Sequence, residues 1–254
     1  MKTSLMRFFT KDGLRLDGLL FEPVRKTNKT IVHVHGTSSN FYRSNFIDTF
    51  ASQFTKAGFA LLTFNNRGTG LRYEFVKKNG RATIGSENEI FEDCELDIQA
   101  AIDFAKSKSQ SEIILSGHSY GCNKVVWYAT QKNFEGKIIL LAPVDIRRPK
   151  DTMQQKARDC TNIDMFRYRD GQIVPVLAKM KNDILIQMGA QDKSVAQENK
   201  QDCIDYLKTA FVNARVCAHL LKDADHGFTN REGEVAKNIV EWLKTPPPEG
   251  WHHL

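Results

Sequence analysis

Glu112-Ile113-Ile114-Leu115-Ser116-Gly117-His118-Ser119-Tyr120-Gly121-Cys122 is an apolar, β-branched run that ends in a serine flanked by two glycines. The run has the length of a buried strand, and the residues after it suit a helix. A serine hydroxyl is a poor nucleophile in water, so chemistry requires that it stand on a sharp turn beside a base. Gly117 and Gly121 allow such a turn, because a Cβ at either position would collide with a neighbouring strand or helix. The spacing is that of a nucleophile elbow, which makes Ser119 the first residue to consider for catalysis.

Outward from the elbow the chain alternates between two periodicities. Strands are expected at Leu5–Thr10, Leu14–Glu22, Thr30–His35, Ala60–Asn65, Glu112–Ser116, Lys137–Leu141, Asp183–Met188 and Arg215–Leu221. The inner ones are continuous Ile/Val/Leu runs, as for strands covered on both faces of a parallel sheet. Amphipathic helices are expected at Ser44–Lys56, Phe91–Ser107, Gly121–Gln131, Ala196–Phe211 and Gly233–Leu243. The expected fold is α/β, a mostly parallel, doubly wound sheet of about eight strands. The stretch from Ile146 to Asn182 is too long for an ordinary connection. It leaves a carboxyl strand end, where an excursion overlies the ligand crevice. Residues 146–182 therefore read as a small cap inserted into a core of residues 1–145 and 183–245. The proline-rich tail, residues 246–254, reads as extended or disordered.

At 254 residues, 41% hydrophobic and 26% charged, the chain has the composition of an ordinary globular protein. No apolar run reaches the roughly 20 residues that cross a bilayer, and the opening Met1–Phe9 is broken by Arg7. Five scattered cysteines (94, 122, 160, 203, 217) without CxxC spacing argue against a disulfide framework or a zinc site. Cys94, Cys203 and Cys217 read as core residues. Reduced thiols and the absence of a signal pattern point to the cytoplasm, with no membrane partner. Of the net charge of +6, the span Arg147–Asp170 holds seven Lys/Arg against four Asp. A solvated surface explains this patch, and attraction of an anionic substrate is the alternative. No nucleic-acid-reading module accompanies it, so no nucleic-acid partner is expected. The assembly is open, a homodimer included.

Seven histidines are candidates for the base. His33 and His35 lie on one face of a buried strand, His219 is in the last strand, and His252 and His253 follow the proline-rich tail. His118 adjoins the nucleophile, and the turn is expected to point it the other way. His226, in Asp223-Ala224-Asp225-His226-Gly227-Phe228, follows the last strand in a polar loop that can bring an imidazole to Ser119. The base needs a carboxylate to fix its tautomer. Asp192, in Gly189-Ala190-Gln191-Asp192, follows the preceding strand and completes the order Ser119, Asp192, His226. Asp145 and Asp225 remain rivals for that role. Two amides should face the developing oxyanion, Tyr120 N–H after the nucleophile and Thr37 N–H in His35-Gly36-Thr37-Ser38-Ser39.

Together these pieces resemble the α/β-hydrolase superfamily, of the small-cap serine esterase type, over about residues 5 to 244. The resemblance rests on His35–Ser39, Phe64-Asn65-Asn66-Arg67-Gly68-Thr69-Gly70, Gly117–Gly121, Gly189–Asp192 and Asp223–Phe228. In plan it is similar to feruloyl and cinnamoyl esterases and to siderophore-ester hydrolases. It implies carboxylic-ester hydrolysis through an acyl-enzyme on Ser119, with Asp192 and His226 as partners and Thr37 and Tyr120 as oxyanion donors. It implies neither metal nor organic cofactor. Asn65-Asn66 departs from the commoner aspartate before the Arg-Gly pair. A thioesterase or amidase with the same residues, or a non-catalytic binder on the fold, are the competing readings. The expected substrate is a small ester with anionic or aromatic character. Arg67 either meets a substrate carboxylate or braces neighbouring loops. Phe41, Tyr42, Met165, Phe166 and Tyr168 are candidates for the wall of the pocket, or else ordinary packing.

Overall fold

The computed structural model describes residues 1–108, 110–144, 177–194 and 200–245. The early strands are β1 (Lys2–Phe9), β2 (Arg15–Glu22), β3 (Lys29–Val34) and β4 (Ala60–Phe64). Two short strands, β5 (Tyr73–Lys77) and β6 (Gly80–Ile84), follow, and then β7 (Glu112–His118), β8 (Ile138–Leu141), β9 (Asp183–Gly189) and β10 (Arg215–Leu221). The helices are α1 (Phe46–Lys56), α2 (Cys94–Ser107), α3 (Tyr120–Gln131), α4 (Lys200–Ala210) and α5 (Glu232–Lys244).

Eight strands form one sheet in the order β1-β2-β4-β3-β7-β8-β9-β10. β1, β2 and β4 pair antiparallel, and every pair from β4 to β10 is parallel. The expected doubly wound sheet is therefore present. Successive residues of its inner strands enter opposite cores, as strand geometry requires. Val32, Val34, Leu115, Leu140 and Ile186 pack on α2, α3 and α4. Ile31, Ile114, Ile139 and Leu185 pack on α1 and α5. Helix α1 shows why it docks: Phe46, Phe50 and Phe54 recur every fourth residue, with ring centroids 4.7 and 5.0 Å apart. Fully burying each ring contributes about 2–3 kcal/mol.

The chain passes from β3 to β4 on one side and from β4 across to β7 on the other. That reversal of strand order makes a crevice at the carboxyl ends of β3 and β7. The register pairs Val34 with both Phe64 and Gly117, which brings the three loops that follow these strands side by side. Gly189 pairs with Leu221, so the loops after β9 and β10 are also neighbours.

Three differences from expectation have local causes. The stretch between Asn65 and Phe91, for which no strand is expected, contains the hairpin β5–β6, closed across Lys78-Asn79 with Gly80 at φ +103°. An Asn-Gly turn is a hairpin signal, diluted here by three lysine and arginine side chains. Helix α2 is preceded by a separate 3₁₀ turn, Phe91–Asp93. Cys217 is half-buried rather than core, because β10 is an edge strand. Asp145, the basic span 147–170, nearly all of the expected cap and the tail lie outside the described residues. Leu177 and Met180, in the last residues of the expected cap, pack into the main core instead. Among the described residues no helix is long and apolar enough to cross a membrane.

Three buried histidines make stability depend on pH. Burial lowers His33 and His35 to about 3 and His118 to about 4, from an ordinary 6.5. The unfolded chain thus binds more protons than the native one below pH 6.5, and stability falls as the pH falls toward 4. Asp97, raised by burial to about 6, opposes this with one group. Urea titrations are expected to show the unfolding free energy falling by about 2–3 kcal/mol between pH 6 and pH 5. A flat profile there would contradict neutral buried imidazoles.

Candidate active site

Ser119 sits between β7 and α3 with φ 55° and ψ −126°, a conformation that costs a non-glycine residue about 1–3 kcal/mol. Its surroundings hold it there. Ser119 N–H donates to Leu141 O at 2.9 Å, and Ser119 O accepts from Cys122 N–H at 3.0 Å. A Cβ on Gly117 would reach the carbonyl oxygen of Gly121 at 2.5 Å, and one on Gly121 would overlap Val34 O. Strand and helix can therefore meet at this angle only with glycines on both sides of the serine. The loop after β3 comes equally close, since a Cβ on Gly36 would lie 2.8 Å from Ser119 Cβ. Ser119 is half-buried, and its hydroxyl makes no hydrogen bond to any described residue.

The loops that carry Asp192 and His226 are joined to each other. Gln191 N–H donates to Ala224 O at 2.9 Å, and Ala190 N–H to Leu221 O at 2.9 Å. Across this seam His226 Nδ1–H donates to Asp192 Oδ2 at 2.7 Å. Asp192 is 1% exposed, and its other oxygen accepts from Ser194 N–H at 2.7 Å. The carboxylate is thereby fully used, and His226 keeps Nε2 free to accept a proton. Of the rivals, Asp225 turns its carboxylate to Gly227 N–H and Thr229 N–H at 3.1 and 2.8 Å, so it shapes the loop. Asp145 lies outside the described residues.

His118 does not point away from the site, contrary to expectation. Its Nε2–H donates to the main-chain oxygen of His226 at 2.8 Å, and the two rings lie 5.0 Å apart. Phe46 and Phe228 flank the His118 ring. The residue before Ser119 thus grips the main chain of the candidate base.

Thr37 follows Gly36 in a loop fastened to the loop after β4. Ser38 N–H donates to Gly68 O at 3.0 Å, and Gly70 N–H to Ser39 O at 3.3 Å. His35 Nδ1–H donates to Gly36 O at 2.8 Å, and its Nε2 accepts from Asn66 N–H at 3.2 Å. Tyr120, whose amide is the other expected donor, opens α3 directly after Ser119.

Arg67 is corrected as a substrate contact. Its side chain is 4% exposed, and its guanidinium is held by Asp12, Asp93 and Asp97 at 2.9, 3.3 and 3.1 Å. Sequence reasoning passed over these carboxylates, and it passed over Lys124 and Glu89, a buried ion pair at 2.5 Å behind the crevice. Asp97 stands beside Ile98 and Ala101 on the buried stripe of α2, and a charge on an apolar stripe is a readable signal. Phe41 is half-buried beside the β3 loop, with Tyr42 exposed against its ring. Met165, Phe166 and Tyr168 lie outside the described residues.

The model of the serine aminopeptidase (S33) hydrolase family matches residues 25–202. That of the dienelactone hydrolase family matches residues 170–243. A search of curated proteins finds no significant match. Among solved structures, the chain is similar to the Est1E protein of Butyrivibrio proteoclasticus with ferulic acid bound, at 17% identity and a TM-score of 0.68, covering 93% of this chain and 97% of that one. It is similar to a Pyrococcus furiosus esterase at 17% identity and a TM-score of 0.68, covering 96% and 91%. It is also similar to the esterase domain of a Rhodothermus marinus protein at 19% identity and a TM-score of 0.66, covering 96% and 98%. At such identities the likeness is one of fold.

Arg67→Ala is expected to lower the unfolding free energy by about 3–5 kcal/mol, because it strands the buried carboxylate of Asp97. Chemical denaturation reads this. Unchanged stability with a raised KM for anionic esters would instead restore a substrate role.

Proposed function

Because the chain belongs to the serine aminopeptidase (S33) family of α/β-hydrolases, we propose that it is a serine esterase that cleaves carboxylic esters through an acyl-enzyme on Ser119. The observation that carries this reading is the 2.7 Å hydrogen bond from His226 to a buried Asp192, with the His226 loop gripped by the residue next to Ser119. In this mechanism substrate binding closes the hydrogen bond from Ser119 Oγ to His226 Nε2, a contact that often forms only with ligand. His226 takes the hydroxyl proton as Oγ attacks the ester carbonyl. The oxyanion accepts hydrogen bonds from Thr37 N–H and Tyr120 N–H, each worth roughly 3 kcal/mol in the transition state. His226 then gives its proton to the leaving alcohol. A water molecule repeats the sequence on the acyl-enzyme and releases the acid. Asp192 keeps Nδ1 protonated throughout and stabilises the imidazolium.

The likeness to a structure holding ferulic acid favours an aromatic acyl group, for which Phe41 supplies a wall. The family description favours one rival, amide cleavage by the same residues. The four described cysteines are free thiols, which suits a cytoplasmic enzyme.

A fluorophosphonate is expected to label Ser119 of the folded protein and to fail on Ser119→Ala. Asp192→Asn is expected to lower kcat by about 10³–10⁴-fold with little change in KM. A panel of aryl esters, alkyl esters and peptide arylamides assigns the bond cleaved. A folded protein whose Ser119 resists the phosphonate sinks the reading.

A further inference from the structure

An oxyanion hole made of Thr37 N–H and Tyr120 N–H needs two amides on separate elements to keep one spacing. The first is in the loop after β3, and the second is at the start of α3. Lys124 stands on α3 one turn beyond Tyr120, 1% exposed. Its Nζ donates to Asn66 Oδ1 at 3.0 Å and to Glu89 Oε2 at 2.5 Å. The same Asn66 oxygen accepts from Gly68 N–H at 2.8 Å, while Asn66 Nδ2 donates to His35 O at 3.3 Å. Gly68 O in turn holds Ser38 N–H, next to Thr37. An unbroken chain of hydrogen bonds thus runs from α3 through Lys124, Asn66 and Gly68 to the β3 loop.

Glu89 and Gly68 complete the contact. Glu89 Oε1 is buried without a hydrogen-bond partner among the described residues. A Cβ on Gly68 would lie 2.6 Å from that oxygen and 2.8 Å from Lys124 Nζ, so the loop is pressed directly onto the ion pair. Stability alone is a poor reason for this arrangement, since an apolar pair of equal volume does as well or better in a core. Asn66 also fits better here than aspartate would. Its amide donates to His35 O, whereas a carboxylate has no donor to offer and would face that carbonyl with an oxygen.

We propose that Lys124 is a positioning residue which, through Asn66 and against Glu89, sets the spacing of the two oxyanion donors. This rests on the reading of Ser119 as nucleophile. The probe is a trifluoromethyl ketone bearing the acyl group of the best ester substrate. Ser119 Oγ adds to its carbonyl carbon, the hydroxyl proton passes to His226, and the carbonyl oxygen becomes an oxyanion in the hole. Lys124→Met/Glu89→Gln removes both charges together and strands neither. It is expected to lower kcat about 100-fold, the order of losing one donor, with KM within about threefold. Ketone affinity should fall by the same factor, and affinity for the product carboxylate should hold. Asn66→Ala breaks the chain while leaving the ion pair whole. Its expected loss, about tenfold in kcat and in ketone affinity, decides the matter if the double variant does not fold. Turnover within about twofold of wild type in the folded variants, or equal weakening of substrate, ketone and product, overturns the proposal. Wild-type protein that hydrolyses no ester and binds the ketone no better than Ser119→Ala refutes the hydrolase reading itself, and this inference with it.

Discussion

The parallel pairing of β3 with β7, with Val34 opposite Gly117, is the constraint on which the crevice depends. Strand side chains alternate between faces, so a slip of one residue would exchange the two cores and cannot be tolerated. With register set, Gly36 and Ser119 must emerge at the same height. Their separation, too small for a Cβ, follows from that placement. Pairing of β4 on the far side of β3 then lays Asn66 and Gly68 against the same loop. The loops after β9 and β10 arrive by the same logic, through Gly189 opposite Leu221.

Unfavourable terms gather here and are offset elsewhere. Ser119 holds a strained backbone, His118 and His35 give up protonation on burial, and Lys124 and Glu89 are removed from water. None of these would persist in a loose structure. Two apolar cores enclose them: the stacked phenylalanines of α1 on one face, and the packed faces of α2 and α3 on the other. His118, His35 and Asn66 each bond a main-chain carbonyl near the crevice, so they fix where loops go.

Residues whose role is local were readable from sequence, and those whose role depends on distant partners were not. The apolar runs at 30–34 and 112–116 announced buried parallel strands because such strands need no polar face. The glycine-flanked serine announced its own turn. Asp192 and His226 were found by position at strand ends, where the sheet geometry brings them together. His118 was misjudged because its direction is set by Phe46 and Phe228, far away in the chain. Arg67 shows the limit from another side. Its type suits a substrate carboxylate equally well, and only the arrival of Asp12 and Asp97 from separate elements decides for a brace. Lys124 carried less signal than Asp97 although it too stands on a buried helix stripe, since a long lysine side chain there can also reach solvent.

The groups at the crevice come from loops spread from Gly36 to His226, and none is a sequence neighbour of all the others. Contacts of such range close late, because each long loop must be ordered before its contact forms. A partly folded chain, even one with the helices and several strands in place, would lack either the clasp of His118 on His226 or the seam between Gln191 and Ala224. The order of assembly therefore makes the crevice the last feature to take shape: the loops that carry Ser119, Asp192 and His226 are brought together only by completion of the whole sheet.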